Sequence, residues 1–557
     1  MPPSTPPSDS APVRVRTRSW LRTVAVLTAL LLFAVLLQWL SGAYRAEFGA
    51  FPDESAHFVT GLMFRDYVAS GFPESPIKYA EDYYFHYPKV AFGVWGPLLY
   101  AIEGTWMLVF PPSHISILLL MSLIIALAAT LLYRVLTKET GPVLALMAAL
   151  IFLAIPVVQS STGMVMADGL VALLDFCAAL AFGKYLTSND WRYSALFGAF
   201  ASLSILTKST GVALVLLPGF AILLTRQFRV LKKPSLWIAP AIIACIGGPW
   251  EYYSSKLWSG LHERFPIWSF AGNYTALLIT IAGIALLPLI AIGFYDRVAA
   301  PALKRGADGK WAAAGALILS VWLFHCAVPA AGPEPRYLIA VLPPMLMCAA
   351  AGIGVLARLL PSRISLQHRT WGVGALAFIV FLVTEFSIPQ KSYHGFDEVA
   401  ERLESPEFAN SVILISSEAD GEGMLISEMA MRERRPSHII LRATKMLSQS
   451  NWNGEHYRLL YATPQELMTF LQSVPVEVVV IHNERTYRSF PDQALLRRAI
   501  ASFQNDWEHL GTFPQRRPTV ASTIDIYRLK SSAGHRRGKI RIELPYTRGH
   551  AIERELP

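Results

Sequence analysis

Two neighbouring carboxylates, Asp53 and Glu54, follow the first long apolar segment of the chain, and His57 lies one helical turn further on. The stretch that follows them, AHFVTGLMFRDYVASG, is amphipathic and would hold both acids against a membrane surface. One carboxylate near an apolar wall with a second beside it suits a general base, because burial and a like charge both change a pKa. Two solvated acids at an interface are the alternative interpretation.

A second pair of acids, Asp168 and Asp175, is separated by seven residues. This spacing places both on one face of a helix, about two turns apart. An unpaired acid deep in a membrane is costly, so we interpret Asp175 as a structural residue paired with a cation or a hydroxyl. Asp168, at the outer mouth of the same helix, is the functional candidate.

Cations and aromatic residues lie at the ends of other apolar segments. Lys208, in LTKSTG, and Arg336, in PEPRYLIAVLPP, either snorkel to lipid headgroups or clamp a phosphate, to which the planar guanidinium is well suited. His86 and Lys89 offer a further phosphate contact. The aromatic side chains around them form either an interface belt or a stacking platform for a sugar; they are Tyr83, Tyr84, Phe85, Tyr87 and Trp95.

The composition requires a membrane to hold these residues. The 557 residues are 53% hydrophobic and 16% charged, with a mean hydropathy of +0.39, which excludes a soluble protein of this length. Lysines and arginines of cytoplasmic loops explain the net charge of +9, so nucleic-acid binding is rejected. A disulfide framework is excluded because every cysteine lies in an apolar segment; these are Cys177, Cys245, Cys326 and Cys348.

The charge pattern predicts the topology. Residues 1–19 are rich in Pro and Ser and predict a disordered cytoplasmic N-terminus. The apolar run after them is long enough for an uncleaved anchor, with a cleaved signal peptide as the alternative. The positive-inside bias then predicts about eleven transmembrane helices over residues 20–388, with a first external loop at 43–114 and an interfacial helix near 90–110. An odd number of spans places the loop acids and the C-terminal domain outside.

Residues 389–531 have the pattern of a soluble α/β domain. Short β-branched runs alternate with helical patterns and predict a small, mostly parallel sheet. The stretch SSEADGEGMLISEMAMRE follows a strand and opens a helix, where a ligand could bind. A plain strand-to-helix turn is preferred there, and no chemistry is assigned to it. Residues 532–557 form a basic tail that is predicted to be weakly ordered.

The order of these motifs resembles that of the integral-membrane GT-C glycosyltransferases. The resemblance is to the group of protein O-mannosyltransferases and aminoarabinose (lipid A) transferases, glycosyltransferase family 39. It covers residues 20–388 and rests on the Asp-Glu pair, GPLLY, ADG, LTKSTG, GPWEYY and RYLIAVLPP, in this order. Relatives often carry Lys-Pro-Pro-Leu where this chain has WGPL at residues 95–98, so Lys89 or His86 would have to replace the missing lysine.

The resemblance implies a reaction and a set of site residues. A sugar would pass from a polyprenyl-phosphate donor to an acceptor hydroxyl or phosphate at the extracytoplasmic face, by a single displacement with inversion. Asp53 matches the general base, with Glu54 and Asp168 as the accompanying acids. The remaining roles are donor phosphate binding by Arg336, Lys208, Lys89 and His86, and substrate binding by His57, Tyr84, Trp95 and Tyr337. No metal or other cofactor is required, although clustered acids could hold a divalent ion.

Two other classes of protein remain open. A secondary transporter or lipid-linked sugar flippase would also use intramembrane acids, but the chain lacks paired halves with matching broken helices. A scaffold protein would recognise cell-envelope material with its C-terminal domain, and would lose all function on deletion beyond about residue 390, whereas the catalytic centre of a transferase is expected to survive. The expected partners are the lipid-linked donor, a lipid, glycan or protein acceptor, and membrane lipids. We expect a bacterial inner-membrane protein whose active site and C-terminal domain are periplasmic.

Overall fold

The computed structural model of the chain contains a large helical part followed by a small sheet domain. It describes residues 13–91, 93–257, 266–328, 332–361, 363–449, 457–483, 490–518, 521–532, 538–544 and 550–556. The α-helices are α1 Val13–Leu40, α2 Pro52–Ala69, α3 Pro76–His86, α4 Leu98–Val109, α5 His114–Thr140, α6 Pro142–Ala154, α7 Pro156–Thr162, α8 Asp168–Ser188, α9 Trp191–Ile205, α10 Leu217–Thr225, α11 Pro234–Leu257, α12 Ala271–Phe294, α13 Ala300–Lys304, α14 Gly309–Ala327, α15 Leu342–Leu359, α16 Leu366–Thr384, α17 Phe396–Leu403, α18 Ala419–Arg432, α19 Ala443–Met446, α20 Pro464–Ser473 and α21 Pro491–Ser502. The strands are β1 Val412–Ser416, β2 Ile439–Arg442, β3 Ser448–Gln449, β4 Arg458–Leu459, β5 Val478–His482, β6 Trp507–Arg516, β7 Ala521–Leu529, β8 Gly538–Leu544 and β9 His550–Leu556.

The helical part is built to cross a membrane. Among the described residues, seven helices are long and apolar enough to span it, or eight if α6 and α7, bent by 63°, form one broken span. The chain is therefore an integral membrane protein. The predicted number of eleven spans is not confirmed, because other apolar stretches form helices that are too short or not apolar enough to count as spans. Helix α9 has 15 residues, α10 has 9, and α11 contains Pro240 and Pro249.

Close crossings between the membrane helices depend on glycine. A Cβ atom at Gly293 of α12 would lie 1.8 Å from the carbonyl oxygen of Cys348 in α15, and Gly352 of α15 meets the backbone of α12 in the same way. Small residues let membrane helices approach to backbone contact. Because the 3-10 turn Pro335–Val341 leads directly into α15, this crossing also fixes the turn that carries Arg336.

The segment between α1 and α5 folds as three helices. Helix α4 has 12 residues, which is too short to cross a bilayer, and it covers only part of the helix predicted near residues 90–110. It packs on α2, where a Cβ atom at Gly104 would lie 2.6 Å from the ring of Phe64. Glu103 is fully buried in this contact, and burial raises its pKa well above the usual value. The packing of α4 therefore favours a neutral acid at this position.

The C-terminal domain contains a mixed sheet in the order β2-β1-β5-β7-β6. Strand β1 pairs in parallel with β2 and β5, whereas β7 pairs antiparallel with β5 and β6. The prediction of a mostly parallel sheet is therefore wrong for one half of it. The reason is local: β6 and β7 follow each other along the chain with only a short connection, and a short connection permits only antiparallel pairing.

The basic tail is more regular than predicted. Strands β8 and β9 pair as an antiparallel ribbon. Ile540, Ile542 and Ile552 turn into the core of the α/β domain beside Val474 and Val476. Burial of these isoleucines supplies the free energy that orders the segment, which its basic composition concealed.

Candidate active site

The N-terminus of α2 positions the Asp-Glu pair. Phe51 has an extended backbone, and Pro52 occupies the first helical turn, where its missing N–H leaves no hydrogen bond unmade. Both acids fall in this turn, where the helix dipole favours a negative charge. Asp53 is 8% exposed and Glu54 is fully buried, so the two neighbours have different surroundings.

Arg336 forms an ion pair with Asp53. Its Nη2 donates to Oδ2 of Asp53 at 2.9 Å, and its Nη1 lies 3.1 Å from the sulfur of Met166. The guanidinium also lies 4.0 Å above the centre of the Phe51 ring, in cation–π geometry. Arg336, from the 3-10 turn before α15, is thereby held against Asp53 at the start of α2.

Lys208 and Asp168 form a second ion pair beside the first. The Nζ atom of Lys208 donates to Oδ1 of Asp168 at 2.7 Å, and both residues are buried. Lys208 also lies 4.3 Å above the ring of Tyr337, while Arg336 approaches the same ring at 5.4 Å. Tyr337 therefore contacts both cations and joins the two ion pairs into one cluster.

Residues far apart in the sequence thus converge on one place. The start of α2, the start of α8, the turn after α9 and the 3-10 turn before α15 supply Asp53, Asp168, Lys208 and Arg336 respectively. Two carboxylates and two cations within one buried cluster can accept a proton and stabilise a phosphate. This convergence is the geometric condition on which the predicted chemistry depends.

His57 adds a neutral imidazole to the cluster. Its Nδ1 lies 3.1 Å from the hydroxyl of Tyr100, and its ring packs 4.4 Å from that of Trp95. Burial lowers the pKa of His57 to about 4, although the carboxylate of Asp53 opposes this shift. The side chain is therefore uncharged near neutral pH and provides polar contact without adding positive charge.

Glu54 is bonded to protein groups from three segments. Its Oε2 accepts the backbone N–H of Ala50 at 3.2 Å, and its Oε1 accepts that of Val165 at 3.4 Å. Its cationic partner is Lys391, which lies between α16 and α17. Lys391 was missed by sequence reasoning, because a single lysine in PQKSYHG after the last apolar helix carries no pattern.

Lys89 lies behind the start of α2. Its Nζ donates to the carbonyl oxygen of Pro52 at 3.2 Å. Helix α18 of the C-terminal domain covers it closely, since a Cβ atom at Gly423 would lie 3.1 Å from that Nζ. Burial, with the nearby Arg442 guanidinium, lowers the pKa of Lys89 to about 7. The charge of this residue therefore changes near neutral pH.

Two predicted contacts are engaged with the C-terminal domain instead of the cluster. Nδ1 of His86 bonds to the backbone oxygen of His438 at 2.9 Å, and burial lowers the pKa of His86. Tyr84 packs against the hydrophobic core of the same domain. Both residues help to hold the domain against the segment between α1 and α5.

A cavity of about 470 Å³ opens beside the cluster. Its wall includes Phe51 and Arg336 from the cluster, together with Gln159, Lys391 and Tyr393. Amide, hydroxyl, aromatic and cationic groups in one concave surface suit a hydroxyl-rich ligand that carries a negative charge. The cavity therefore provides room for a substrate next to the Asp53–Arg336 pair.

The other acids do not assemble into a metal site. Among the described residues, no three His, Cys, Asp or Glu side chains are placed to hold a metal ion. Asp175 accepts a hydrogen bond from the hydroxyl of Ser204 at 2.6 Å. This is the hydroxyl partner that the structural interpretation of Asp175 requires.

One protein family matches the chain in sequence, over a single segment. Residues 96–253 match the family described as dolichyl-phosphate-mannose-protein mannosyltransferase. This segment runs from the start of α4 to α11 and includes Asp168 and Lys208. No curated protein has a sequence that matches the chain.

Solved structures resemble the chain over nearly its full length. The apo crystal structure of ArnT from Cupriavidus metallidurans has a TM-score of 0.54 at 14% identity and covers 93% of this chain and 99% of its own. The Archaeoglobus fulgidus oligosaccharyltransferase, tethered to an acceptor peptide, has a TM-score of 0.52 at 13% identity, with 96% and 74% covered. These matches confirm the predicted fold and the predicted resemblance. The chain has the GT-C fold of membrane glycosyltransferases, and its residues 96–253 are similar to the mannosyltransferase family.

Proposed function

We propose that this protein transfers a sugar from a polyprenyl-phosphate donor to an acceptor hydroxyl at the extracytoplasmic face of a membrane. The observation that carries the proposal is the paired cluster of Asp53 with Arg336 and Asp168 with Lys208 at the ends of membrane helices. The GT-C fold and the similarity to a family named for a dolichyl-phosphate-linked donor support the same reaction.

The cations account for the leaving group. Phosphate is a good leaving group that needs charge stabilisation more than protonation, and buried cations supply this strongly because little water screens them. Arg336 can bind two phosphate oxygens through its fork of N–H groups, and Lys208 adds a point charge beside it. A donor phosphate would therefore draw both cations away from their carboxylate partners.

Release from Arg336 leaves Asp53 free to act as the base. The carboxylate takes the proton of the acceptor hydroxyl while that oxygen attacks the anomeric carbon. The bond from the anomeric carbon to the phosphate oxygen breaks, and polyprenyl phosphate leaves with the bonding electrons. Attack from the face opposite to the phosphate inverts the configuration. In this scheme Asp53 is unblocked by the arrival of the donor, so donor binding precedes proton removal.

The remaining residues orient the sugar. Asp168, once released by Lys208, can accept hydrogen bonds from sugar hydroxyls, and the neutral His57 can exchange them in either direction. Trp95 and Tyr337 offer ring faces for stacking. Glu54 has no exposed surface, so we assign it to holding the protein around Asp53 instead of contacting the substrate.

The orientation in the membrane is part of the proposal. Arginines and lysines in the loops between membrane helices favour a cytoplasmic N-terminus, an extracytoplasmic cluster and an extracytoplasmic C-terminal domain. An inner membrane of a bacterium, with the domain in the periplasm, fits this arrangement. Accessibility labelling of cysteines introduced at exposed positions of α3 and α20 should place both outside; opposite labelling would contradict the orientation.

The test uses the purified full-length protein in lipid nanodiscs with radiolabelled polyprenyl-phosphate sugars. We expect one donor to lose its label to an acceptor, with inversion at the anomeric carbon. Asp53→Asn should lower transfer by about 10²–10⁴-fold, because it removes the base; thermal unfolding of the variant measures separately the cost of leaving Arg336 without its anionic partner. Asp190→Asn, at the N-terminus of α9, is the matched control and should remain active. Transport of an unchanged donor, or full activity in Asp53→Asn, would contradict the proposal.

A further inference from the structure

Lys391 lies in the segment between α16 and α17 that leads into the C-terminal domain, and it connects this linker to α2. Its backbone N–H donates to the oxygen of Ser41 at 2.8 Å, which fixes the linker to the end of α1. Its Nζ donates to Oε1 of Glu54 and to the backbone oxygen of Gly163 at 3.1 Å. The side chain is 7% exposed. It is thus a buried cation with partners on two other segments.

The Lys391–Glu54 pair lies next to both acids of the candidate site. Glu54 follows Asp53 directly, so any movement of the first turn of α2 moves both side chains. Through the N–H of Val165, Glu54 also holds the segment that leads into Asp168. A fully buried carboxylate must keep a partner, because an uncompensated buried charge is strongly unfavourable. Lys391 therefore fixes the geometry of both acids in the cluster.

A second consequence concerns the separate cations that compensate the two adjacent carboxylates. Asp53 and Glu54 are adjacent carboxylates, and each has its own cation, Arg336 and Lys391 respectively. If Lys391 were absent, Glu54 would be a buried carboxylate without its cation, which is strongly unfavourable, and the first turn of α2 would have to move. Asp53 lies on that turn, so its ion pair with Arg336 would be displaced as well.

We propose that Lys391 is a positioning residue for sugar transfer, acting through Glu54, and that it makes docking of the C-terminal domain part of active-site assembly. This inference rests on the proposed function. Lys391 does not contact the reacting atoms in this scheme. Through Glu54 it fixes the turn that carries Asp53 and the segment that leads into Asp168.

The kinetic test compares Lys391→Met, Lys391→Arg and the double variant Lys391→Met/Glu54→Gln. We expect Lys391→Met to lower kcat by about 10²-fold, the size of effect that small misplacements of reacting groups produce. Lys391→Arg should restore most of kcat, because it keeps the charge. The double variant should recover part of it, because a neutral amide needs no cation. Lys310→Met, which breaks the partly exposed Lys310–Glu139 pair, is the control and should behave as wild type.

A thermal test separates failure of this inference from failure of the proposed function. Unfolding midpoints of Lys391→Met, Glu54→Gln and the double variant form a cycle that needs no turnover. Losses that are clearly not additive support the pair. If wild-type protein transfers no sugar from any donor, the proposed function fails. If the losses in unfolding midpoint of the two single variants add up in the double variant, the Lys391–Glu54 pair is not an energetic unit, and this inference fails as well. Wild-type kcat in Lys391→Met, or no rescue by Lys391→Arg and by Glu54→Gln, would overturn the positioning role by itself.

Discussion

At the scale of single residues, each cation of the cluster is paired with a carboxylate. Arg336 and Lys208 are both buried, and a buried cation without a partner would be strongly unfavourable. Asp53 and Asp168 provide these partners in the absence of a donor. Under the proposed function, these ion pairs would compensate the charge of both cations until a donor phosphate takes the place of the carboxylates.

Lys89 gives a pH-dependent prediction. Its pKa is lowered to about 7 by burial and by Arg442, so the cation is present below that pH and is lost above it. If Lys89 contributes to binding of the donor phosphate, KM for the donor should rise by up to tenfold per pH unit above 7. Measuring donor KM between pH 6 and pH 9 checks this.

Variants at two lysines of the same loop control the pH measurement. Lys89→Met should bind donor weakly at every pH and show no such rise. Lys78→Met removes an exposed lysine that pairs with Glu74, and should keep the wild-type profile. A rise in KM that persists in Lys89→Met would assign the titration to another group.

Single residues of the site could be predicted to different degrees. Asp53, Asp168, Lys208 and Arg336 stand out because each is one of few charges beside a long apolar segment. Lys391 gives no such signal. Its importance comes from a partner more than three hundred positions earlier in the chain, and no local pattern encodes a long-range pair.

At the scale of elements, the crossing of α12 and α15 supports the turn that carries Arg336. A Cβ atom at Gly293 would lie 1.8 Å from a backbone oxygen, and a backbone cannot yield as a flexible side chain can. We expect Gly293→Ala to reduce the free energy of unfolding by about 1–3 kcal/mol, the cost of overpacking, and to reduce transfer by displacing Arg336. Thermal unfolding and donor turnover in nanodiscs measure the two effects.

Gly354 offers the matched control for this crossing. It lies on α15, and a Cβ atom there would have no neighbour within 4 Å. Gly354→Ala should leave both unfolding and transfer unchanged, or raise stability slightly because alanine favours helix. Equal losses in the two variants would show that substitution itself, and not the close crossing, is responsible.

The long apolar helices could be predicted from the sequence, whereas the exact number of membrane spans could not be confirmed. Hydropathy finds long helices such as α5 and α8, whereas α10 and α11 are not among the described helices that are long and apolar enough to span a membrane. In the C-terminal domain, the alternation of strands and helices predicts the parallel pairs around β1. It fails at β6 and β7, where two strands follow each other without a helix between them.

At the scale of the whole molecule, the C-terminal domain is docked directly on the segment between α1 and α5, which carries Asp53. Helix α18 covers Lys89 and α2, and Glu428 of α18 pairs with His114 at the start of α5, at 2.8 Å. Removal of the chain beyond about residue 390 would also remove Lys391. These contacts argue against the expectation that the catalytic centre survives such a deletion, and they favour a single cooperative assembly.

Variants of Glu47, which lies between α1 and α2, test this assembly. Its Oε1 accepts the backbone N–H groups of Gly395, Phe396 and Asp397 at 2.6, 2.9 and 3.1 Å, and so it caps α17 at the entrance to the domain. Burial raises the pKa of Glu47 well above its usual value, which favours a neutral acid whose Oε1 still accepts these bonds. Glu47→Gln, which keeps a neutral acceptor of the same shape, should therefore be nearly neutral.

Glu47→Ala should have a different outcome, because it leaves the N–H groups at the start of α17 without their acceptor. The expected loss is about 2–3 kcal/mol in the free energy of unfolding, with faster proteolysis between α16 and α17 and lower sugar transfer. Limited proteolysis and thermal unfolding of both variants provide the comparison. If Glu47→Gln loses as much as Glu47→Ala, the carboxylate charge and not the acceptor geometry holds the domain. If neither variant changes proteolysis or transfer, the C-terminal domain docks independently of this cap.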